Sequence, residues 1–261
     1  MNSDANRPRK LSACISWLYN DLEVAERVAR AALDGFDGIE MQFPQRVATN
    51  ELVRSIQQHA MPFVMMNSES GSASGDCGLA SVPDRRDEFV QTIERAARLA
   101  VELQCTMVHV LAGPHRGAAT MQHAIDGFNS ALDILAASNI RLMIEPITAG
   151  DTAGYAIPNY DVAFTIAESL GDGAAVVYDT FQAAACGSAL ETLSESDARQ
   201  IGHVQISEPG TRDVPTAATA TALNAQLRRL GYEGWVGGEY RATNAVCASM
   251  EWAEPMRGVQ R

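Results

Sequence analysis

The 261 residues are 46% hydrophobic and 20% charged, which is typical of a globular chain with one large core. The net charge is −12 and the strongest basic run is "RPRK" at residues 7–10, so we expect no nucleic-acid partner. No run of about 18 consecutive apolar residues occurs, so we expect no membrane-spanning helix and no membrane partner.

The two ends of the chain and its cysteines set further expectations. The first ten residues are polar, which predicts a flexible N-terminal tail over residues 1–10 without a signal peptide, followed by one domain over 11–261. The five cysteines are scattered, odd in number and without a C-x-x-C pair. This pattern argues against a disulfide framework or a thiolate zinc site, and it favours a cytoplasmic location.

Eight short apolar runs recur along the chain, and each has the length of a buried strand. In chain order they cover residues 11–16, 38–43, 62–67, 107–112, 141–146, 174–179, 202–207 and 235–240. Between them, apolar residues recur with the period of an amphipathic helix. The clearest helical stretches are residues 21–35, 86–104, 120–138, 159–171 and 219–231.

Strands that alternate with helices predict right-handed βαβ units and therefore a parallel sheet. Eight such units in about 250 residues predict an α/β fold of one domain, the (β/α)₈ TIM barrel. An open, doubly wound sheet is the alternative. It would need a glycine-rich phosphate turn after the first strand, and "CISWLYND" there contains no glycine.

The segment "SESGSASGDCG" at residues 68–78 follows the third predicted strand and is rich in Ser and Gly. In a barrel of this type, the loops that follow the strands carry the chemistry. The segment is therefore either a flexible connection or an active-site lid, and both interpretations stay open.

Four polar side chains come at the ends of four consecutive predicted strands. They are Glu145, Asp179, Gln205 and Glu239. Because the strands of a barrel end at one rim, we expect these side chains to lie together. Three close carboxylates repel one another, and a hard divalent cation such as Mg²⁺ or Mn²⁺ removes that repulsion. The alternative is four unrelated polar residues on the rim.

The sequence around these residues resembles the hydroxypyruvate isomerase family within the xylose-isomerase-like barrels. The similar stretches are "IEP", "YDTF", "GHVQI" followed by "EPGT", "GWVGGEY", "GLASVPDRRDEF" and "GFDGIEMQFP". The resemblance extends from about Leu11 to Gly258. It implies a metal-dependent barrel in which Glu145, Asp179, Gln205 and Glu239 hold the metal, while Glu145 and Glu239 also transfer protons.

The function implied by this resemblance is an aldose–ketose type isomerisation of a small hydroxy-oxo acid. Hydroxypyruvate with tartronate semialdehyde and 2-oxo-tetronate are the expected kinds of substrate, and the setting is carbohydrate metabolism. One group removes a proton beside the carbonyl, and another returns it to the neighbouring carbon through an enediolate. The expected partner is the small hydroxy-oxo acid or a sugar, and a homo-oligomer stays open.

The chain departs from the family pattern in the residues around the substrate. Gln182 in "YDTFQ" replaces a histidine, and Met66-Asn67 replaces a His-Asn pair. The loop before "EPGT" is shorter and lacks an arginine. The weaker candidates for substrate binding are Asn67, Gln182, Arg241, Arg85 and His115, with Arg212 ranked below Arg241. His109 and His203 fall inside strands, where a structural role is expected.

Two other functions fit the same pattern. One is a ketose epimerase or a dehydratase that uses the same metal ligands, although ketose epimerases of this fold usually have His in place of Gln205. The other is a non-catalytic barrel that binds a metal or a sugar. For the isomerase, we expect Gly237 and Gly238 to leave space for the substrate beside Glu239.

Overall fold

The computed structural model describes residues 8–241 and 250–258. Eight parallel strands follow one another in sequence order and close into a barrel, with β8 paired to β1. The strands are β1 (Leu11–Cys14), β2 (Gly38–Met41), β3 (Phe63–Asn67), β4 (Met107–His109), β5 (Arg141–Ile144), β6 (Ala174–Asp179), β7 (Ile201–Ile206) and β8 (Val236–Gly238). Seven of the eight predicted apolar runs contain one strand each, and the eighth, residues 202–207, overlaps β7 with a shift of one residue, which confirms the single-domain TIM barrel.

Helices connect the strands and surround the barrel. They are α1 (Val24–Leu33), α2 (Thr49–His59), α3 (Arg86–Leu103), α4 (Thr120–Ala136), α5 (Tyr160–Leu170), α6 (Thr180–Cys186), α7 (Glu195–Gln200), α8 (Ala217–Arg229) and α9 (Ala253–Met256). The five helical stretches named from the sequence correspond to α1, α3, α4, α5 and α8.

The sequence interpretation missed α2, α6, α7 and α9 for two physical reasons. The apolar stripe of α2 consists only of Leu52, Val53 and Ile56, which is a short repeat from which to recognise a helix. Helices α6, α7 and α9 have seven, six and four residues, which is too short for the helical period to show.

The carboxyl ends of β5 to β8 bring the four predicted metal ligands to one rim. Glu145 directly follows β5, Asp179 is the last residue of β6, and Glu239 directly follows β8. Gln205 pairs with Asp179 on one side and with Gly237 on the other. Hydrogen bonding between the strands thus fixes the relative heights of these side chains.

Both ends of the described chain contact the barrel. The backbone N–H of Arg9 donates to the carbonyl of Met256 at 3.1 Å, and the carbonyl of Lys10 accepts from Val236 at 3.0 Å. The first seven residues of the predicted flexible tail lie outside the described residues. Across residues 8–241 and 250–258, we find no helix with the length and apolar character needed to cross a bilayer.

Candidate active site

A cavity of about 340 Å³ lies at the carboxyl end of the barrel. Trp17, His109, Glu145, Arg212 and Glu239 are among the residues that line it. This is the end of a TIM barrel at which the loops after the strands meet and the chemistry is performed. The cavity is therefore the candidate active site.

Three carboxyl groups meet at this site. One carboxylate oxygen from each of Glu145, Asp179 and Glu239 lies within 4.8 Å of the others. All three residues are buried, and Asp179 has no exposed surface at all. Three acids this close and this well shielded from water require either protons or a cation to offset their charge.

The burial of the three acids also changes their proton affinity. Burial raises the pKa of Glu145 well above its usual range, and the neighbouring Glu239 and Asp179 raise it further. Burial likewise raises the pKa of Asp179 and of Glu239, although Arg212 partly offsets the effect on both. A bound divalent cation would replace the protons that these acids otherwise retain.

The side chain of Gln205, on the strand that pairs with β6 at Asp179, has an unpaired oxygen. Its amide nitrogen Nε2 donates to Oε1 of Glu40 at 2.7 Å. Its carbonyl oxygen Oε1 is buried and has no hydrogen-bond partner within the described residues. Three carboxylates and a free amide oxygen are the hard donors that divalent cations prefer, so these four residues fit a metal ion.

Glu40 itself is an unusual residue for the middle of a buried strand. Burial opposes its ionisation, but the ring of His203 and hydrogen bonds from His203, Gln205 and Ser12 outweigh this effect, so the pKa of Glu40 is lowered. The carboxylate is therefore ionised and acts only as an acceptor.

Arg212 brings a positive charge to the cavity. Its guanidinium donates to Asp151 at 3.0 Å, to Glu239 at 3.2 Å and to Asp179 at 3.3 Å. The guanidinium carbon also lies 4.3 Å from the centre of the Phe181 ring, and only 4% of the side chain is exposed. The backbone of Arg212 has a φ of 59°, which is uncommon for a residue with a long side chain.

Two further side chains offer unused hydrogen-bonding atoms to the cavity. Both ring nitrogens of His109 and the indole Nε1 of Trp17 are buried without a partner in the described part of the chain. Nδ1 of His109 is 3.3 Å from Oε2 of Glu145, outside hydrogen-bond geometry. Burial lowers the pKa of His109 to about 3, so its ring is neutral. Such buried, unpaired polar atoms are rare unless a ligand satisfies them.

Two of the weaker substrate-binding candidates line the cavity. Asn67 lies at the end of β3, next to His109 on β4. Gln182 accepts hydrogen bonds from the backbone and the hydroxyl of Thr148, and its amide donates to Asp151 at 2.7 Å. Gln182 thus supports the wall of the cavity with both ends of its amide.

The other three candidates are not among the residues that line the cavity. Arg241 is exposed, and its guanidinium carbon is 6.0 Å from the centre of the Trp17 ring. Arg85 pairs with Asp76 and Glu88. His115 is exposed, in the loop before α4. The sequence ranked Arg241 above Arg212 as a candidate for substrate binding, but Arg212 and not Arg241 lines the cavity.

The segment 68–78 borders the cavity through Ser70, Asp76 and Cys77. Arg85 holds this segment through its bonds to Asp76, and Glu88 accepts from the backbone of Ser72 at 2.9 Å. The segment therefore lies where a lid would be needed.

The two glycines before Glu239 make room for neighbouring side chains and not for a substrate. A Cβ on Gly237 would lie 2.3 Å from Oε2 of Glu40, and one on Gly238 would lie 3.0 Å from the ring of Tyr240. The expectation that both leave space for substrate is wrong. They leave space for neighbouring side chains, and neither lines the cavity.

Sequence reasoning did not identify Glu40, Trp17 or Asp151 as residues of the site, and it assigned His109 a structural role. Only Glu40 gave a usable signal, because a charged residue at the centre of a buried strand is rare unless it is paired. Trp17 and Asp151 reach the cavity through the course of their loops, and His109 reaches it from the end of β4.

A model of the family described as "Xylose isomerase-like TIM barrel" matches residues 28–258 of the chain. The chain belongs to this family. Of the described strands and helices, the match leaves out the first strand and the first four residues of α1, so the xylose isomerase-like barrel describes nearly the whole domain.

Two characterised relatives are similar over nearly their whole length. The chain is 29% identical to a 2-oxo-tetronate isomerase of Cupriavidus necator over 257 residues, covering 95% of this chain and 99% of the relative. It is 27% identical to a hydroxypyruvate isomerase of Escherichia coli, with coverage of 95% and 99%. These relatives confirm the resemblance stated from the sequence, and they support an isomerase.

Solved structures show the same barrel. A protein of Brucella melitensis described as a family 2 AP endonuclease superimposes with a TM-score of 0.87 at 28% identity, covering 95% of this chain and 98% of that one. A 3-keto-D-glucoside 4-epimerase of Escherichia coli gives a TM-score of 0.75 at 16% identity, with coverage of 96% and 98%. The second similarity is one of fold alone.

Proposed function

We propose that this barrel is a divalent-metal-dependent isomerase of a small hydroxy-oxo acid, of the hydroxypyruvate or 2-oxo-tetronate type. The observation that carries the proposal is the buried group of three carboxyls, which meets a buried arginine at one cavity. The unpaired amide oxygen of Gln205, on the strand that pairs with β6 at Asp179, adds a fourth donor. The names of the relatives support the same class of reaction.

The metal would be held by Glu145, Asp179, Gln205 and Glu239. Mg²⁺ or Mn²⁺ suits four oxygen donors, because both prefer carboxylate and carbonyl ligands. When bound, such an ion acts as a Lewis acid that stabilises negative charge on the substrate oxygens. The residues of the chain supply the proton transfers and the binding of the substrate.

Glu145 and Glu239 are the proposed proton carriers. They come from β5 and β8, on either side of Asp179 and Gln205, so they can approach the substrate from two directions. One carboxylate takes a proton from the carbon that bears the hydroxyl group, and an enediolate forms. The other, in its protonated form, gives a proton to the former carbonyl carbon. The hydroxyl proton passes to the former carbonyl oxygen, which completes the exchange of the two functional groups.

Arg212 is the proposed partner of the substrate carboxylate. Among the cavity-lining residues in the described ranges, it is the one that carries a positive charge. A guanidinium can hold a carboxylate with two parallel hydrogen bonds, which fixes its orientation as well as its position. His109 and Trp17 can donate to the remaining substrate oxygens through their unpaired nitrogens.

A screen of substrates would test this function. Metal-stripped protein is supplied with Mg²⁺ or Mn²⁺ and assayed on hydroxy-oxo acids and ketoses of three to six carbons. An isomerase of acids interconverts hydroxypyruvate with its aldehyde isomer, or 2-oxo-tetronate with its 3-oxo isomer. Inversion at one carbon of a ketose would instead support an epimerase, and binding without turnover would support a non-catalytic barrel.

Replacing Asp179 by Asn is expected to weaken Mn²⁺ binding by at least about tenfold, which is the lower range for disturbing a metal site. Oδ1 of Asp179 accepts from the backbone N–H of Phe181 at 2.9 Å. An asparagine would use its oxygen for this bond and turn its NH₂ group towards the ion. Calorimetric titration with Mn²⁺ measures the effect, and the exposed Asp172→Asn is the matched control. Unchanged affinity in Asp179→Asn would remove Asp179 from the ligand set.

The segment 68–78 is expected to exchange backbone hydrogens more slowly when substrate is bound. A lid that closes over the cavity excludes water and protects an enediolate from side reactions. Hydrogen-exchange mass spectrometry with and without the substrate found in the screen measures this, with helix α3 as an internal reference. Equal protection of the segment in both states would contradict a lid.

A further inference from the structure

Four buried polar side chains form a network inside the barrel, and none of them is among the residues that line the cavity. They are Ser12, Glu40, His203 and Gln205. The carboxylate of Glu40 accepts from the hydroxyl of Ser12 at 2.8 Å, from Nε2 of His203 at 2.8 Å and from Nε2 of Gln205 at 2.7 Å. Glu40 is therefore at the centre of the network.

Glu40 reaches across the barrel interior to make these bonds. It belongs to β2, whereas His203 and Gln205 belong to β7, and β1 and β8 lie between the two strands. The absence of a side chain at Gly237 on β8 makes this possible, because a Cβ there would lie 2.3 Å from Oε2 of Glu40. The carboxylate of Glu40 thus occupies the space that a side chain at position 237 would fill.

The hydrogen bond between Glu40 and Gln205 determines the orientation of the Gln205 side-chain amide. A carboxylate has only acceptor atoms, so it selects the NH₂ end of the amide. The carbonyl oxygen of Gln205 must then point away from Glu40, and this oxygen has no partner in the part of the chain that the structure describes. A reversed amide would present two hydrogens to the metal site in place of an oxygen.

We propose that Glu40 is a positioning residue that fixes the orientation of the Gln205 amide and so presents its oxygen to the divalent ion. This inference rests on the proposed metal centre. Partners of this kind, which hold a ligand from behind, commonly change metal affinity by about 10- to 100-fold when they are removed.

The isosteric substitution Glu40→Gln isolates this effect. The oxygen of the new glutamine can still accept from Ser12 and His203, so its NH₂ group would face the NH₂ group of Gln205. Two donors in contact are unfavourable, and rotation of the Gln205 amide by 180° relieves the conflict. That rotation removes the oxygen from the metal site while the packing inside the barrel is unchanged.

The exchange of the two residues, Glu40→Gln with Gln205→Glu, reverses the loss. The glutamine at position 40 then donates to the carboxylate at position 205, which needs no particular orientation to bind a metal. The net charge of the pair is the same as in the unmodified protein. Gln205→Glu alone is the comparison for this recovery, because an added carboxylate ligand raises the metal affinity by itself, whereas in the single variant it faces the carboxylate of Glu40.

The test is a calorimetric titration of the metal-stripped full chain with Mn²⁺. We expect Glu40→Gln to bind Mn²⁺ about 10- to 100-fold more weakly than the unmodified protein. We expect the exchanged double variant to bind at least as tightly as the unmodified protein. Ser12→Ala is the matched control, because it removes one donor to Glu40 and leaves the bond to Gln205 intact, so its affinity should be retained.

The outcomes separate the inference from the metal centre on which it rests. If the unmodified protein binds no Mn²⁺, the proposed metal centre is wrong. If it binds Mn²⁺ and Glu40→Gln binds equally well, or the double variant stays weak, the positioning role is wrong. Should Glu40→Gln fail to fold by circular dichroism, Gln205→Glu alone is compared with the double variant. Tighter binding by the double variant supports the inference, and equal binding overturns it.

Discussion

Replacing Glu239 by Gln is expected to lower turnover by at least about 10²-fold, which is the usual effect of losing a general base. The amide keeps the shape of the side chain and one oxygen for the metal, but it does not accept a proton at neutral pH. Turnover is measured on the substrate identified by the screen, at saturating Mn²⁺. Calorimetry should find that the variant still binds Mn²⁺, with moderately lower affinity.

The matched control for this variant is Glu195→Gln, since Glu195 lies on α7 and its side chain is 91% exposed. Glu145→Gln should lose turnover to a similar degree. The variant with both substitutions should lose much less than the product of the two single effects, because the two carboxylates act as a unit. Near-normal turnover of Glu239→Gln would mean that this carboxylate only binds metal and that the proton carrier lies elsewhere.

Replacing Arg212 by Met is expected to raise the KM for the hydroxy-oxo acid by about 10- to 100-fold. This range corresponds to the loss of hydrogen bonds to a charged group, about 1.5–3 kcal/mol. Arg212→Lys should have an intermediate effect on the KM, because an ammonium keeps the charge but does not form bidentate hydrogen bonds with a carboxylate. Steady-state kinetics measure both variants, and Mn²⁺ titration verifies that the metal site is retained.

Arg241→Met is the control for Arg212, because Arg241 is exposed and does not line the cavity. It should leave the KM unchanged. A neutral ketose gives a second comparison, since its binding should depend much less on Arg212 than that of an acid. A normal KM for the acid in Arg212→Met would contradict the proposed role of Arg212. A raised KM in Arg241→Met would instead support Arg241 as the residue that binds the substrate, as the sequence suggested.

The fold could be predicted because the eight apolar runs and the helical stretches between them indicate the same architecture. The run "AAVVYD" coincides with β6 residue for residue, six other runs contain their strands, and the run at 202–207 is shifted by one residue from β7. A parallel barrel buries its strands on both faces, so these runs are continuously apolar and easy to recognise. The same regularity predicted the common rim of Glu145, Asp179, Gln205 and Glu239, whose positions depend only on strand order.

The parts of the site that were not predicted depend on loops and on distances across the barrel. Arg212 lines the cavity from a loop in which its own backbone is left-handed, at a φ of 59°, and the sequence "EPGTRD" does not specify that conformation. Glu40 pairs with a residue 165 positions away on the far side of the barrel. Strand periodicity determines which face a residue takes, but it does not identify the partner across the interior.

The most direct test of the account is solvent deuterium exchange in the metal-loaded protein. Hydroxypyruvate or 2-oxo-tetronate is incubated in D₂O with the protein and Mn²⁺, the ion is then removed, and the substrate is examined by NMR. We expect deuterium at the carbon beside the carbonyl, at a rate well above that of Mn²⁺ alone and abolished when the protein is stripped of metal. Absence of exchange from every hydroxy-oxo acid of three to six carbons, in protein that demonstrably holds the ion, would contradict the proposed isomerase.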